Sequence, residues 1–382
     1  MSISILNGII NAINKKPSLF QGKGAGYNMI CAEIQQAAFS TGHPFVYFDG
    51  CVHVFTGNHW EQIDEYELKV FVKEAFAKLC GDYVSASKKE TVNGLASQMP
   101  YTVMSLNVKQ ATGKINFKNG TLDLRTMRLN RHDWQDYFRY VLPYDYSVNV
   151  KCPLFFKYLD EVVPEKECKM ALGEYTGWLF ITGLKLEKVL FLYGAGCNGK
   201  SVFVDIIEAL VGKDNVSHES LSDLCGEYGA NSRSNLAGKL LNTCSDVASD
   251  AFAGDLFKRI ASGEPISTKI LYKDVTTLSD YAKMIFCLNE LPRTRDNSNG
   301  FYRRFLIAPF NVQIPKNRID PYLASKITSS ELPGVMNWAL DGLQRLMKNK
   351  RFTYSPMMEK ALNDYRYRNK KRGFRLLLPP FA

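Results

Sequence analysis

Apolar blocks alternate with short polar turns along residues 1 to about 100. In "FVYFDGCVHVFTGNHWEQI", Asp49-Gly50 and Gly57-Asn58 separate runs of β-branched and aromatic residues, which predicts a hairpin. The period then changes. In "EYELKVFVKEAFAKLCG", Leu68, Val70, Phe71, Val72, Ala75, Phe76 and Leu79 make a helical stripe that Gly81 stops. "INFKNGTLDLRTMRL" (115 to 129) predicts a second hairpin turning at Asn119-Gly120, and residues 154 to 184 predict two helices, the second from about Lys169 to Phe180.

From Lys188 the texture is different. "KVLFLY" is a continuous apolar run, as a strand buried on both faces requires, and it feeds directly into a glycine loop. "SVFVDIIEALVG" follows with apolar positions 202, 204, 206, 207, 210 and 211, a helix ending at Gly212. Further apolar runs, "KLLNTC" (239 to 244), "KMIFCLN" (283 to 289) and "RFLIAPF" (304 to 310), are separated by helix-length or hairpin-length segments. This alternation predicts a mostly parallel sheet covered by helices, an α/β fold. No internal repeat or low-complexity tract is visible.

Composition narrows the class. At 382 residues and 46% hydrophobic, the chain can bury one large core or several smaller ones, which excludes global disorder. Nine cysteines are scattered without a C-x-x-C pair, so they read as buried thiols in a reducing compartment rather than a zinc site or a disulfide framework. No secretory leader and no run of about 18 apolar residues is present, which predicts a cytoplasmic protein with no membrane partner. The net charge of +10 is concentrated at one end: residues 342 to 382 carry eleven Lys and Arg against Glu359 and Asp364, a net of +9. That tail reads either as a solvated extension or as a nucleic-acid contact.

The loop "GAGCNGKS" carries the first chemistry. Gly194-x4-Gly199-Lys200-Ser201 satisfies the phosphate-loop pattern in its required context, a strand before and a helix after. Glycines let backbone N–H groups turn inward around phosphate oxygens, and the helix N-terminus adds a favourable dipole. Lys200 then neutralises β/γ charge, and Ser201 reaches Mg²⁺. The candidate ligand set is Gly194, Ala195, Gly196, Cys197, Asn198, Gly199, Lys200 and Ser201, for ATP with Mg²⁺. Such a loop needs an acid at a neighbouring strand tip, and "KLLNTCSD" offers Asp246, which with Ser201 makes the candidate metal pair. Asn289, ending "MIFCLN", is placed to orient water beside a γ-phosphate.

Taken in order, "FLYGAGCNGKS", "KLLNTCSD", "LFKRIASGEPISTKILYKD", "IFCLNELPRTRD" and "GFYRRFLIAPF" resemble the superfamily three helicases, ring-forming AAA+ motors of viruses, phages and plasmids. The likeness is to the phage and plasmid primase-helicase group and its poxvirus relatives. Upstream, "INFKNGTLDLRT", "LPYDYSVNVKCPLFFKYLDEV" and "EYTGWLFITG" resemble the helicase-associated domain of that group, so the resemblance spans about residues 27 to 355. It implies an α+β helicase-associated domain at 1–150, a helical collar at 151–186, an AAA+ core at 187–312 and a C-terminal helical segment with the basic tail at 313–382.

Position by position, the resemblance implies that Asp246 is the Walker B acid and Asn289 is sensor 1. It implies that Lys258 senses a neighbouring subunit's nucleotide and that Arg304 is an arginine finger contributed in trans; Arg303, its neighbour, points to the opposite face if this segment is extended. "STKILYKDVTTLSD" matches a hairpin that enters the ring's channel, where Lys269, Tyr272 and Lys273 would track phosphates and stack on bases. The implied function is an ATP-dependent, hexameric DNA helicase moving 3′ to 5′ on single-stranded and forked DNA in replication of a mobile element. A primase or an origin-binding protein is the expected partner. An ATP-switched initiator or loader is the alternative, and the channel hairpin argues against an unrelated P-loop kinase. Ser245-Asp246 departs from relatives with two acids or a Glu at that tip, which leaves open whether Asp246 alone is the catalytic base. Priming activity is not expected, because no primase sequence precedes residue 1 and the chain stops after "YRYRNKKRGFRLLLPPFA".

Overall fold

The structure, a computed structural model, describes residues 2–376 apart from 20–25, 106–107, 227, 246–253, 270–274 and 295, with side chains for all of these except residues 2 and 371–376. Contacts divide the chain into two units, Met1–Val141 and Leu142–Ala382.

In the first unit, helices α1 (Ser2–Ala12), α2 (Tyr27–Ser40), α3 (Glu65–Cys80), α4 (Tyr83–Ala86) and α5 (Lys89–Val103) accompany two antiparallel sheets. One sheet is β1 (Phe45–Phe48), β2 (Cys51–Phe55) and β3 (Trp60–Gln62); the other is β4 (Lys114–Phe117), β5 (Gly120–Asp123) and β6 (Arg128–Asn130). Each predicted hairpin thus continues into a third strand. The ends of α3 follow from its sequence. Asp64 accepts the Glu67 backbone N–H at 2.7 Å as N-cap, and Gly81 at φ 70° ends the helix in the left-handed conformation. Its stripe is buried as predicted at Leu68, Phe71, Val72, Ala75, Phe76 and Leu79, whereas Val70 lies off the stripe and stays exposed. Those residues join Ile30, Ile34, Phe45, Val54, Leu95 and Met99 in one apolar core. Burying each large aliphatic or aromatic side chain contributes roughly 1.5–3 kcal/mol.

The second unit begins with α6 (Pro153–Val162) and α7 (Lys166–Trp178). The latter starts three residues before the predicted position, because its first turn is polar and an apolar stripe does not report it. Next come β7 (Val189–Tyr193), α8 (Lys200–Val211), β8 (Val216–Ser217), α9 (Leu221–Cys225), α10 (Ala230–Ser234) and β9 (Leu241–Cys244). They are followed by α11 (Gly254–Ala261), the hairpin strands β10 (Ile266–Lys269) and β11 (Val275–Leu278), and β12 (Lys283–Leu288). The unit ends with α12 (Asn299–Tyr302), β13 (Phe305–Pro309), α13 (Leu323–Ser330), α14 (Leu332–Asn349) and α15 (Pro356–Leu376).

Strands β13-β7-β12-β9-β8 form one five-stranded sheet in that order, parallel throughout, so the expected α/β core is present behind an α+β unit. Strand β7 lies between β13 and β12 and is apolar, with Val189, Leu190, Phe191 and Leu192 all buried. Its last residue, Tyr193, pairs with Leu288 and with Pro309, which brings three strand ends to one edge.

Helices from both sides of the core in sequence pack on each other. Gly177 and Gly342 let α7 and α14 approach closely: a Cβ on Gly177 would lie 2.3 Å from the Ala339 carbonyl oxygen, and one on Gly342 would lie 2.4 Å from the Gly173 carbonyl carbon. Beside this contact, fully buried Glu174 accepts the Thr353 N–H at 2.6 Å and its hydroxyl at 2.5 Å, with Arg345 Nε at 3.4 Å. Glu331 caps α6 by accepting the N–H groups of Leu154 (3.0 Å) and Phe155 (2.9 Å). The basic tail is not an open extension over its described part: Met358, Leu362 and Tyr365 of α15 are buried.

Every cysteine is a free thiol. Their burial is less uniform than expected: Cys51 and Cys244 are half-buried, and Cys197 is exposed because it sits in the glycine loop. Among the described residues no helix is long and apolar enough to cross a membrane.

The α7–α14 contact yields a stability prediction. Gly342→Ala places a methyl group against backbone that cannot rotate away and should destabilise the protein by about 1–3 kcal/mol. Urea unfolding should show a lower midpoint with an unchanged slope.

Candidate functional site

The glycine loop leaves the C-terminal end of β7 and enters α8 at Lys200, between the ends of β12 and β13. Its neighbours hold it. Gly194 donates its N–H to the Leu288 carbonyl at 3.1 Å, and Asn198 Nδ2 donates to the Phe310 carbonyl at 2.7 Å. The Ile314 N–H donates to the Cys197 carbonyl at 2.9 Å. Gly199 turns the loop into the helix at φ 85°, and a Cβ there would meet Val162 at 2.8 Å, so both conformation and space call for glycine. Ala195, Gly196 and Cys197 face solvent at the crest, and nothing lies within 4 Å of a Cβ built on Gly196. The crest is open to solvent, with a lysine ammonium held beneath it by loop carbonyls.

Lys200 lies inside the loop, 7% exposed. Its ammonium donates to the carbonyls of Gly194 (2.6 Å) and Ala195 (3.2 Å) and to Asn198 Oδ1 (3.0 Å). It also reaches Asn289 Oδ1 at 3.4 Å. Burial draws the Lys200 pKa below the usual lysine value. The same burial pushes the Cys287 thiol up to about 12, so it stays a neutral packing group. Asn289, one residue past β12, stands beside the loop's cation. Ser201 is exposed on the first turn of α8. Asp246, its expected metal partner, lies outside the described residues; β9 ends two residues earlier, next to β12.

Lys258, on α11, donates to Asp255 at 2.8 Å and Asp296 at 3.0 Å, and these bonds raise its pKa. For Asp296, partial burial pushes upward, but the bonds from Ser298 and Lys258 outweigh it and hold the carboxyl below its usual range. Among the described residues no hydrogen bond joins Lys258 to Asn289.

Arg304 turns inward. Its guanidinium, 9% exposed, donates to the Lys258 carbonyl (3.1 Å), to Ser262 Oγ (3.1 and 2.8 Å) and to the Gly300 carbonyl. Arg303 is the outward one, its side chain 61% exposed and paired with Glu187 at 2.6 Å. Strands β10 and β11 form the expected hairpin, closing with the pair Lys269–Val275, and Lys269 is exposed. Tyr272 and Lys273 lie outside the described residues.

Two contacts escaped the sequence reading. Tyr158 of α6, buried at 4% exposure, donates its hydroxyl to the Gly199 carbonyl at 2.7 Å, and burial raises its pKa. Asn198, read only as a loop position, is the side chain that ties the loop to the end of β13. A tyrosine in an amphipathic helix carries no sign of the loop it will meet, whereas Asn198's place between Cys197 and Gly199 was a signal of a kind.

Comparisons with known proteins find likeness in sequence and in fold. Residues 32–164 match a family model described as "D5 N terminal like", and residues 192–304 match one described as "Family of unknown function (DUF5906)". A protein of Acanthamoeba polyphaga mimivirus named "Putative helicase L207/L206" is 23% identical over 270 residues, which is 68% of this chain and 28% of that protein. The chain thus spans under a third of that relative's length. Among solved structures, the A form apo structure of the NrS-1 C terminal region has a TM-score of 0.54 at 12% identity, covering 87% of this chain and 74% of that one. A second structure of that region, residues 305–718, has a TM-score of 0.52 at 12% identity, covering 84% and 75%. At that identity the likeness is one of fold. Motif order, the two family matches, the viral relative and the shared fold point the same way: the chain is similar in sequence to the viral "Putative helicase L207/L206" and in fold to the NrS-1 C terminal region.

Proposed function

We propose that this chain is the ATP-hydrolysing motor of a ring-forming DNA helicase. The observation that carries the reading is the meeting of Lys200 and Asn289 at 3.4 Å: a buried cation inside a glycine cradle and a polar side chain at the tip of the adjacent parallel strand. That pairing suits a phosphoryl-transfer site, where positioning and charge stabilisation do most of the work.

In this reading ATP is the substrate, and the backbone from Gly194 to Ser201 holds its phosphates. Lys200 exchanges its carbonyl contacts for phosphate oxygens. Ser201 and Asp246 would hold Mg²⁺, which neutralises charge on the transferring group when bound. Asn289 orients the attacking water. Exposed Lys269, with Tyr272 and Lys273 beyond it, contacts single-stranded DNA at the hairpin. A hexameric ring, 3′ to 5′ movement and a role in replication of a phage, plasmid or viral element complete the proposal.

The arrangement around Arg304 bears on action in trans. A guanidinium with four donor contacts inside its own chain, and Glu187 at 3.6 Å besides, has to leave them to reach a neighbour, whereas among the described residues the Arg303 side chain has one pair, with Glu187, to give up. Arg303 is therefore the more accessible finger, and Arg304 braces α11 against β13. The expected outcomes differ by position. Arg304→Ala should lower stability by about 2–4 kcal/mol, since buried carbonyl and hydroxyl partners lose their donor. Arg303→Ala should leave the melting temperature nearly unchanged and cut ATPase activity only when subunits are assembled. Mixing inactive Arg303→Ala with inactive Lys200→Ala subunits should restore some activity. No recovery at any ratio, with subunit exchange demonstrated, removes Arg303 as a trans residue.

The reading as a whole is tested by Lys200→Ala, assayed for ATP hydrolysis with and without single-stranded DNA. Turnover should fall by about 100-fold or more while the circular dichroism spectrum is kept. Full turnover in that variant would refute the proposed motor.

A further inference from the structure

At the edge of the parallel sheet away from the glycine loop, one lysine has no part in the reading above. Lys283 is the first residue of β12, and its side chain runs to the segment that joins α7 to β7. The ammonium donates to the Ile181 carbonyl at 2.8 Å and lies 4.9 Å from the centroid of the Trp178 ring. Trp178 is fixed in turn, 6% exposed with its indole N–H on the Leu184 carbonyl at 2.9 Å. Among the described residues that one carbonyl is the ammonium's only hydrogen-bond acceptor, and no carboxylate pairs with it.

A cavity of about 140 Å³ opens beside Lys283, between the 181–188 segment, the end of α11 and the turn before β12. One water needs about 10–15 Å³ of such space, so a two-carbon acyl group has room. Thr182, Gly183, Gly263 and Asp280 are exposed around the cavity, which leaves it open to solvent.

The charged and titratable groups that face the cavity are mostly engaged elsewhere. Glu187 pairs with Arg303 at 2.6 Å, and Lys188 donates to the Arg303 carbonyl at 2.5 Å. The Tyr281 hydroxyl donates to the Glu264 carbonyl at 2.9 Å, and Ser262 of α11 accepts from Arg304. Lys185, exposed on the rim, adds a cation, and Asp280 is the acid nearest in sequence. Burial draws the Lys283 pKa down to about 8, while Asp280 pulls it upward. At pH 7 about a tenth of such an amine is free, against under about a thousandth for a lysine of ordinary pKa.

We propose that Lys283 is a nucleophilic lysine and that a small acyl phosphate entering its cavity acylates it at Nζ. The Nζ lone pair attacks the acyl carbon, a C–N bond forms, the C–O bond to phosphate breaks, inorganic phosphate leaves and the Nζ proton passes to water. Size and charge set the donor class: the volume suits a short acyl chain, and the cation at Lys185 suits an anionic leaving group. The resulting amide is neutral, so the cation over Trp178 is removed and the acyl methyl group takes up part of the cavity. This inference stands apart from the reading of residues 194–201.

The test treats the full chain with acetyl phosphate from about pH 6.5 to 10 and follows each lysine by peptide mass spectrometry. At pH 7.5 Lys283 should react about tenfold faster than the exposed Lys118 and Lys348, because its larger share of free amine outweighs its weaker basicity. Its rate should level off above about pH 8 while theirs go on rising, and the difference should vanish in denaturing urea. Lys283→Arg, which keeps a cation for the ring and a donor for the carbonyl, should retain the melting temperature and lose the fast-reacting fraction of acetyl incorporation. Equal rates at Lys283 and the two exposed lysines in the folded chain overturn the proposal. So does a Lys283 rate that climbs through pH 10 as theirs do, the behaviour of a charged structural clamp. A fast reaction that persists in urea also overturns it, since the reactivity would then belong to the local sequence and not to the cavity.

Discussion

Parallel pairing of β7 with β12 on one side and β13 on the other is the constraint on which the site depends. Because Tyr193 is in register with both Leu288 and Pro309, the glycine loop emerges between two strand ends whose carbonyls can hold it. The Leu288 carbonyl takes the Gly194 N–H and the Phe310 carbonyl takes the Asn198 amide, so the loop's shape is imposed from both flanks. A parallel sheet puts all its C-terminal ends on one edge, which is where a ligand finds converging backbone dipoles and strand-tip side chains. The apolar side chains on both faces of β7 keep that register, since a slip of one residue would exchange the two buried faces.

The second unit is one packed body rather than a core with appendages at its two ends. Helices preceding β7 and helices following β13 meet through Gly177 and Gly342, through Glu174 and through the Glu331 cap. This packing reaches the loop directly by way of Tyr158, whose hydroxyl shares the Gly199 carbonyl with the Phe203 N–H. The glycine loop is thereby hydrogen-bonded to α6, whose first turn Glu331 caps. The inward Arg304 has a similar effect on the other side of the sheet, fixing α11 to the start of β13.

Periodicity and punctuation determined much of the architecture. The stripe of α3 between Asp64 and Gly81, the turns at Asp49-Gly50 and Asn119-Gly120, and the unbroken apolar run of β7 are local signals, written in residues close together in the chain. The glycine loop is equally local, so its place between β7 and α8 was legible, and the order of the strand ends made it legible that Asn289 would stand at the same edge. What the tertiary structure alone decided is orientation and partnership between distant segments. Which of Arg303 and Arg304 turns inward depends on α11 offering Ser262 and the Lys258 carbonyl some forty residues away in sequence, a surface that no local pattern encodes. The same holds for Tyr158 at Gly199, forty-one residues apart, and for Arg368 at Tyr193, 175 apart. Sequence sets each segment's period and chemistry because those depend on neighbours within a turn or two, whereas the direction in which a polar side chain points is settled by whichever buried carbonyl or hydroxyl would otherwise be left without a donor.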